Sequence, residues 1–407
     1  MKIAIILREL MVSGGGERQG LMLGKELIAM GHEVIIYTTA YDEKKCFPAD
    51  TVTLPLNILP EQVLAEIRSR KYFLPRAWAA SARASALARA IAERIDPDTE
   101  ILSPSDNWGM RVGYHFKKHH PRAVSVVMLN DVYTERWTLL NDSLFGQKKK
   151  GPFRYFLSWL KDFLVIRDAK VQDAIVVPND RLGKIVKRYF GLTSVTVRSG
   201  VDHNRFIFNE HSLPRFGKTV HLLSHAIFYI HRRFEDTIMA LKILIDEGFK
   251  VDLVIIGDFE HKQAAREYHR KLLILVEKLN LKEAVQFVGQ VNDEELVCYH
   301  READIFVAAA HLHTWGLVIF EALSTGLPVV VSRTMGGAEI LEEGRTAMMF
   351  NPFDPRSQAD AIKRLLLDGA LYKRISREGN DFVLARISWN RFANDMFSLF
   401  VKVAKKL

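Results

Sequence analysis

Short apolar runs alternate with amphipathic stretches along this chain, and the alternation runs through twice. Lys2–Leu7 is apolar and leads through a glycine cluster into a helical segment carrying Leu21, Leu23, Leu27 and Ile28. Gly31 suits a helix end, and Val34–Thr38 reads as a second strand. Further strands are expected at Val124–Leu129, Ala174–Val177 and Ser194–Val197, separated by helices around 78–95, 109–119, 152–168 and 181–190. Asp202–Lys218, with its Asn, Ser, Pro and Gly, interrupts the rhythm and reads as a linker. The rhythm then restarts, with strands at Thr219–Leu223, Val251–Gly257, Val285–Val288, Ile305–Ala308 and Pro328–Ser332. Helices are expected between them at 234–247, 263–279, 293–302 and 317–325, and after them near 371–385 and 389–405. Strands apolar on both faces and alternating with helices specify a parallel sheet covered by helices, in an α/β architecture. Two such doubly wound domains facing a cleft are expected, over 1–205 and 206–385, with a C-terminal helix at 386–407 packing back on the first. Ligands of such sheets lie outside the carboxyl ends of the strands.

The length of 407 residues agrees with two to three domains. No apolar run approaches the roughly 18 residues of a membrane helix, and the run after Lys2 is too short for a signal peptide. Cys46 and Cys298 lack metal-ligand spacing, so no metal is expected, and a reducing cytoplasm fits best. The net charge of +9 is local. Residues 1–205 hold 31 basic and 22 acidic groups, residues 206–407 hold 26 of each, and 148–205 alone contribute 13 against 5. A patch of this kind points to one anionic partner meeting one region.

Two stretches can carry chemistry. Gly14-Gly15-Gly16-Glu17-Arg18 lies between the first strand and the first helix, where glycines admit close approach of a phosphate or polar sugar, or simply make a tight turn. Its Gly-x-Gly-x-x-x-Gly spacing is one residue too long for a dinucleotide fingerprint, and Asp42 alone is placed for a ribose. His313 and Glu321 lie eight residues apart, one in a loop and one in an otherwise apolar helix. A buried carboxylate requires a partner, which a ribose diol, a backbone amide or an arginine would supply.

The ordered set of Gly-Gly-x-Glu-Arg, Gly31-His32-Glu33-Val34, Gly200-Val201-Asp202, Arg232-Arg233-Phe234-Glu235-Asp236, Gly257-Asp258, Phe287-Val288-Gly289, Trp315–Glu321 and Gly336-Gly337-Ala338-Glu339-Ile340 resembles one family. It is that of the retaining, nucleotide-sugar-dependent glycosyltransferases of the GT-B fold, group 1, family four. The resemblance runs nearly the whole chain in order. It implies two Rossmann-like domains, the first on the acceptor side and the second binding the nucleotide-sugar.

The resemblance also implies roles. Glu321 matches the second acid of the family's Glu-x7-Glu pattern and would grip the ribose. Arg232 matches the basic residue that neutralises the donor diphosphate, and Arg233 would share that task. Gly15 and Gly16 would approach the phosphates, the amides of Gly316, Leu317 and Val318 would meet the sugar or diphosphate, and Gly289 and Val291 would flank the base. Guanidinium groups and helix-start amides stabilise a departing nucleoside diphosphate without a metal or other cofactor. A retaining, same-face attack needs no glycosidase-like carboxylate pair. The chain departs from the pattern at three positions. The first Glu reads His313, a His after Val124–Leu129 reads Asn130-Asp131, and the Gly-Arg after the first strand of the second domain reads Ser224-His225. An amide at 130 can bond a sugar hydroxyl but cannot shuttle a proton.

Lys148, Lys149, Lys150, Arg154 and Trp159 interleave charge with aromatic rings. Arg68, Arg70, Lys71, Tyr72, Phe73, Arg76 and Trp78 do the same. Such stretches suit an anionic membrane surface, or an amphipathic helix packed on its own domain. No nucleic-acid recognition module is visible. The sequence therefore reads as a cytoplasmic transferase, peripheral on the inner membrane face, moving a hexosyl group from a UDP- or GDP-sugar to a glycan or lipid-linked acceptor. The alternative is a catalytically silent relative that binds a glycan or nucleotide as a partner protein. An NAD-dependent oxidoreductase fails on the glycine spacing.

Overall fold

A computed structural model describes residues 1–11, 14–43, 46, 54–73, 76–131, 162–211, 218–260, 262–311 and 314–406. The chain divides into two compact units, the second opening at Val201 and closing at Ser388, with Trp389 onward returned to the first.

The first unit is built on seven parallel strands: β1 (Lys2–Ile6), β2 (Glu33–Thr38), β3 (Leu56–Ile58), β4 (Ile101–Pro104), β5 (Val124–Met128), β6 (Ala174–Val177) and β7 (Val195–Thr196). Their order is β3-β2-β1-β4-β5-β6-β7. The chain winds one way from β1 and then the other, so the order reverses between β1 and β4. Strand β5 is buried along its whole length, and β1 along all but its first residue, as strands covered on both faces must be. The covering helices are α1 (Gly15–Ala29), α2 (Glu61–Ser69), α3 (Arg76–Ala92), α4 (Asp106–Lys117) and α5 (Asp180–Phe190). Asn179 caps α5 by accepting from the Leu182 amide, and Gly191 ends it in the left-handed conformation.

The second unit repeats the plan with six parallel strands: β8 (Val220–His225), β9 (Val251–Ile256), β10 (Val285–Gly289), β11 (Ile305–Ala308), β12 (Val329–Ser332) and β13 (Met348–Phe350). The order is β10-β9-β8-β11-β12-β13, which reverses between β8 and β11. Its helices are α6 (Phe234–Asp246), α7 (Gln263–Lys278), α8 (Asp293–Glu302), α9 (Leu317–Ser324), α10 (Pro355–Leu367) and α11 (Gly369–Arg386). A capping box between Asn292 and Glu295 starts α8, while Asp354 and Asp368 cap α10 and α11. The last helix, α12 (Trp389–Ala404), belongs to the first unit. There Asn390 donates to Glu26 of α1, and Phe397 stacks on His32 at 4.4 Å.

The strands β3, β4 and β13 and the helices α2 and α10 add to what the hydropathy pattern predicts. The expected linker at 202–218 is corrected over its described part. Residues 201–211 belong to the second unit, and Phe206 is 1% exposed in its core. His203 bridges Ser324 Oγ and the Ile387 carbonyl, each at 3.0 Å. Polar residues there satisfy buried backbone and hydroxyl groups, so a composition that reads as linker belongs to a packed segment. The boundary lies at Gly200/Val201 instead of 205/206.

Candidate functional site

In each unit the loops that leave the carboxyl ends of the strands at the order reversal gather the candidate residues. In the second unit these are the loop after β8, with Arg232 and Arg233, and the loop after β11, which ends at Gly316. Gly316 has φ +87°, a left-handed conformation that opens α9 with no side chain capping its first amides. From that helix Glu321 points into the interior and is 5% exposed. Its carboxylate lies 3.8 Å from His225 Nε2, at the end of β8. His225 Nε2 in turn sits 3.1 Å from His300 Nε2, on α8. Burial, then repulsion from the His225 and His211 rings when they are protonated, holds His300 well below the ordinary histidine range, so it is neutral.

Arg232 ends a short 3₁₀ turn, Ile230–Arg232, and Arg233 follows with φ +57°. Arg233 Nε and Nη2 donate to Asp236 at 2.9 and 2.7 Å, and Nη1 pairs with Glu235 at 2.6 Å. Its guanidinium also lies over the Phe353 ring at 4.7 Å. Tyr268 donates its hydroxyl to Glu235 and accepts the Phe234 amide, closing the network. Arg233, expected to share a diphosphate with Arg232, is thus ion-paired within its own turn. Its charge is matched by two carboxylates, and it fixes the turn that presents its neighbour. His231 in the same turn is pushed down to about 3 by burial and then by Arg232 and His311, and it stays neutral. Its carbonyl accepts from the His311 amide, and His311 Nδ1 meets Thr334 Oγ1 at 3.0 Å.

Gly289 closes β10 and accepts the Gly257 amide at 2.8 Å. A side chain at Gly257 would meet the Ala226 carbonyl at 2.0 Å, so the strand ends approach as only glycine permits. Val291, Leu317 and Val318 are half-buried against the core, leaving their backbone groups as what they can offer a ligand. His313 lies outside the described residues.

In the first unit, Gly15 and Gly16 form the first turn of α1 after β1. The Asn130 amide covers that turn, 3.5 Å from where a Cβ on Gly16 would be. Asn130 Nδ2 donates to Gln19 at 2.7 Å, and Gln19 donates onward to Ser199, so the amide is held in one orientation. Asp42 lies after β2, with its backbone amide bonded to Leu10.

The sequence reading did not single out Asp106. It follows β4 at the order reversal, has φ +60°, and accepts the Asn130 amide at 3.1 Å. The surrounding protein, then the negative charges of Asp131 and Glu17, push its carboxyl up to about 7. The residue is exposed, so the like charges of Asp131 and Glu17 raise it more than burial does. In the sequence, Ser105-Asp106-Asn107 before Trp108 looks like an ordinary helix start, and nothing local marks the left-handed backbone.

The patch of Lys148, Lys149, Lys150, Arg154 and Trp159 lies outside the described residues. In the second aromatic-basic stretch, Phe73 is 103% exposed, and Arg68, Arg70 and Lys71 are exposed beside it. Trp78 is half-buried, and Arg83 approaches the Tyr72 ring at 5.8 Å. Among the described residues no helix is long and apolar enough to cross a membrane, and no cluster has metal-binding composition.

Residues 13–205 match the family model "Glycosyltransferase Family 4", and residues 208–382 match "Glycosyl transferases group 1". The chain belongs to the group 1, family 4 glycosyltransferases. It is 32% identical over 130 residues to the D-inositol 3-phosphate glycosyltransferase of Corynebacterium jeikeium, covering 32% of this chain and 31% of that one. It is 29% identical over 204 residues to a Mycobacterium tuberculosis glycogen synthase, covering 50% and 47%. The matches span less than half the length of these curated relatives. The fold is that of the sucrose-phosphate synthase of Thermosynechococcus elongatus, with a TM-score of 0.78 at 18% identity and 100% of both chains covered. It is also that of Anabaena Alr3699/HepE in complex with UDP and glucose, at 0.75 and 15%, covering 99% of this chain and 100% of that one. The GT-B architecture of this glycosyltransferase is thereby established.

Proposed function

We propose that this glycosyltransferase transfers a hexosyl group from a UDP- or GDP-sugar, with retention and without a metal, to a glycan or lipid-linked acceptor. The observation that carries the reading is Glu321, a carboxylate buried at the order reversal of the second sheet, about one helical turn from the uncapped amides that open α9. A buried carboxylate of this kind suits the paired hydroxyls of a ribose. Arg232, on the neighbouring loop, supplies the positive charge that a leaving diphosphate requires. His231 beside it is neutral, so the guanidinium is the charge on that turn and the imidazole can only exchange hydrogen bonds. Donor amides at the start of α9 add stabilisation as charge develops on the phosphate oxygens. A proton leaving the acceptor hydroxyl is taken by a donor phosphate oxygen.

On the acceptor side, Asn130 and Asp106 present an amide and a carboxyl that can hold sugar hydroxyls. The exposed Phe73 among Arg68, Arg70 and Lys71 suits docking on an anionic membrane, and we place the enzyme peripherally on the inner face of the cytoplasmic membrane. Calorimetric titration with UDP and with GDP, alongside Glu321→Ala, tests the donor site. Binding of one nucleotide, lost in the variant, supports it; equal binding by both proteins removes Glu321 from the site. The fixed Gln19–Asn130 contact favours one other reading, a silent relative that binds nucleotide without turnover. Release of nucleotide from a panel of nucleotide-sugars separates the two.

A further inference from the structure

The first unit holds a cavity away from its candidate residues. It has a volume of about 750 Å³ and lies at the C-terminal ends of α3 and α4, with Ile35 and Tyr37 of β2 in its wall. Asp106 opens α4, whereas Lys118, at the cavity, follows the other end of that helix, about 18 Å away at 1.5 Å per residue. The cavity is therefore separate from the place where Asp106 meets Asn130, and its size suits a small metabolite.

Its charges are unevenly matched. Arg89, Arg94 and Lys118 line it together with two acids, Glu93 and Asp96, and Lys2 already pairs with Asp96. Arg94 gives Nε and Nη2 to Asn57 Oδ1 at 3.0 and 2.9 Å, which leaves Nη1. Arg89 and Lys118 have no hydrogen bond or ion pair among the described residues, Lys118 lying over the Tyr114 ring at 4.6 Å. Cations are expected at helix C-termini, but two such ends together call for only about one positive charge. Three cations beside one unpaired acid exceed that. His115 in the wall records the excess. Burial, then Arg89, push it down to about 4, with Lys118 and Arg111 adding to the effect and Asp168 opposing it.

The wall also offers groups that bind hydroxyls. Tyr37 is 2% exposed, and its Oη accepts the Asp96 amide at 3.3 Å, while its own O–H donates to nothing among the described residues. A buried hydroxyl on a cavity wall requires an acceptor. The Glu93 carboxylate, also without a hydrogen bond or ion pair among the described residues, can accept from a hydroxyl.

We propose that this cavity is a further ligand site, for a phosphorylated sugar. Arg89, Arg94 and Lys118 take the phosphate, while Tyr37 donates to one ring hydroxyl and Glu93 accepts from another. Free phosphate would answer the cations and leave Tyr37 without a partner, and a neutral sugar would do the reverse.

The test is calorimetric titration of the full chain with glucose 6-phosphate, glucose and inorganic phosphate. The proteins are wild type, Arg89→Gln, Lys118→Gln, Tyr37→Phe and Arg232→Ala. Wild type is expected to bind glucose 6-phosphate at least about 10-fold more tightly than either fragment. Arg89→Gln and Lys118→Gln each weaken it by about 10-fold, the worth of one hydrogen bond to a charged group. Tyr37→Phe weakens it by about fivefold and leaves inorganic phosphate unchanged, and Arg232→Ala binds as wild type does. No binding by wild type at about 1 mM, or full affinity in Arg89→Gln or Lys118→Gln, overturns the site. Loss in Arg232→Ala assigns the ligand to the donor loop and overturns it as well. Inorganic phosphate bound as tightly as glucose 6-phosphate, or a Tyr37→Phe equal to wild type, overturns the assignment to a sugar.

Discussion

Replacing His300 with glutamine makes the second unit less sensitive to acid, by an amount that follows from the burial of one ring. His300 has no exposed surface, and its folded-state pKa is held well below the 6.5 of a free imidazole. Below pH 6.5 the unfolded chain takes a proton at this position that the folded chain refuses, so stability falls as pH falls. Between pH 7.5 and pH 5, one such histidine removes about 2 kcal/mol. The neighbouring His211 and His203 are lowered too, chiefly by burial, and add to the slope in both proteins. The difference between wild type and His300→Gln therefore isolates one ring. The variant carries a constant cost, because Gln packs less well against Phe306, but its loss between the two pH values is smaller by about 2 kcal/mol. Hydrogen exchange of the peptide covering 219–225, read by mass spectrometry at both pH values, reports the opening free energy of β8 directly. Equal acid losses in the two proteins, within about 0.5 kcal/mol, would refute the claim that His300 is held neutral by the fold.

Phe206→Ala is expected to destabilise the second unit by about 3–5 kcal/mol, measured by urea unfolding, where a true linker position would show no change. Arg233→Ala leaves the Glu235 and Asp236 carboxylates without their cation, which costs about 3 kcal/mol in thermal unfolding, whereas Arg232→Ala leaves stability within about 1 kcal/mol while weakening nucleotide binding. Asp106→Asn preserves the left-handed backbone, which Asn tolerates, and removes a group that is protonated below about pH 7 and charged above it. An inflection near neutrality in the acceptor dependence of kcat/KM should vanish in this variant; its persistence would assign the titration to another group.

Legibility in the sequence followed the range of the physical cause. Strands β1, β5, β11 and β12 are buried, and burial on both faces writes a nearly continuous apolar run into the chain. Strand β4, central to its sheet, is only Ile-Leu-Ser-Pro, and β3 is Leu-Asn-Ile; in each a polar residue or a proline breaks the run. Phe206 was hidden by composition, because the four residues before it are polar, and among them His203 serves the buried partners Ser324 and Ile387.

The site divides in the same way. That Glu321 needed a partner was readable, since an acid in an apolar helix is costly wherever the helix packs. That His225 approaches it was not, because the two lie 96 residues apart and meet only through the pairing of β8 with β11. The two arginines at 232 and 233 look equivalent in sequence, yet the backbone separates them. At φ +57° Arg233 starts α6, and Asp236, three residues on, faces its guanidinium. A residue held left-handed against its preference persists only where the surroundings overdetermine it. Here two carboxylates and an aromatic ring do so, and they build a rigid turn whose neighbouring guanidinium can be aimed. Charge that appears doubled in the sequence thus includes one residue, Arg233, whose guanidinium is matched inside the turn by Glu235 and Asp236.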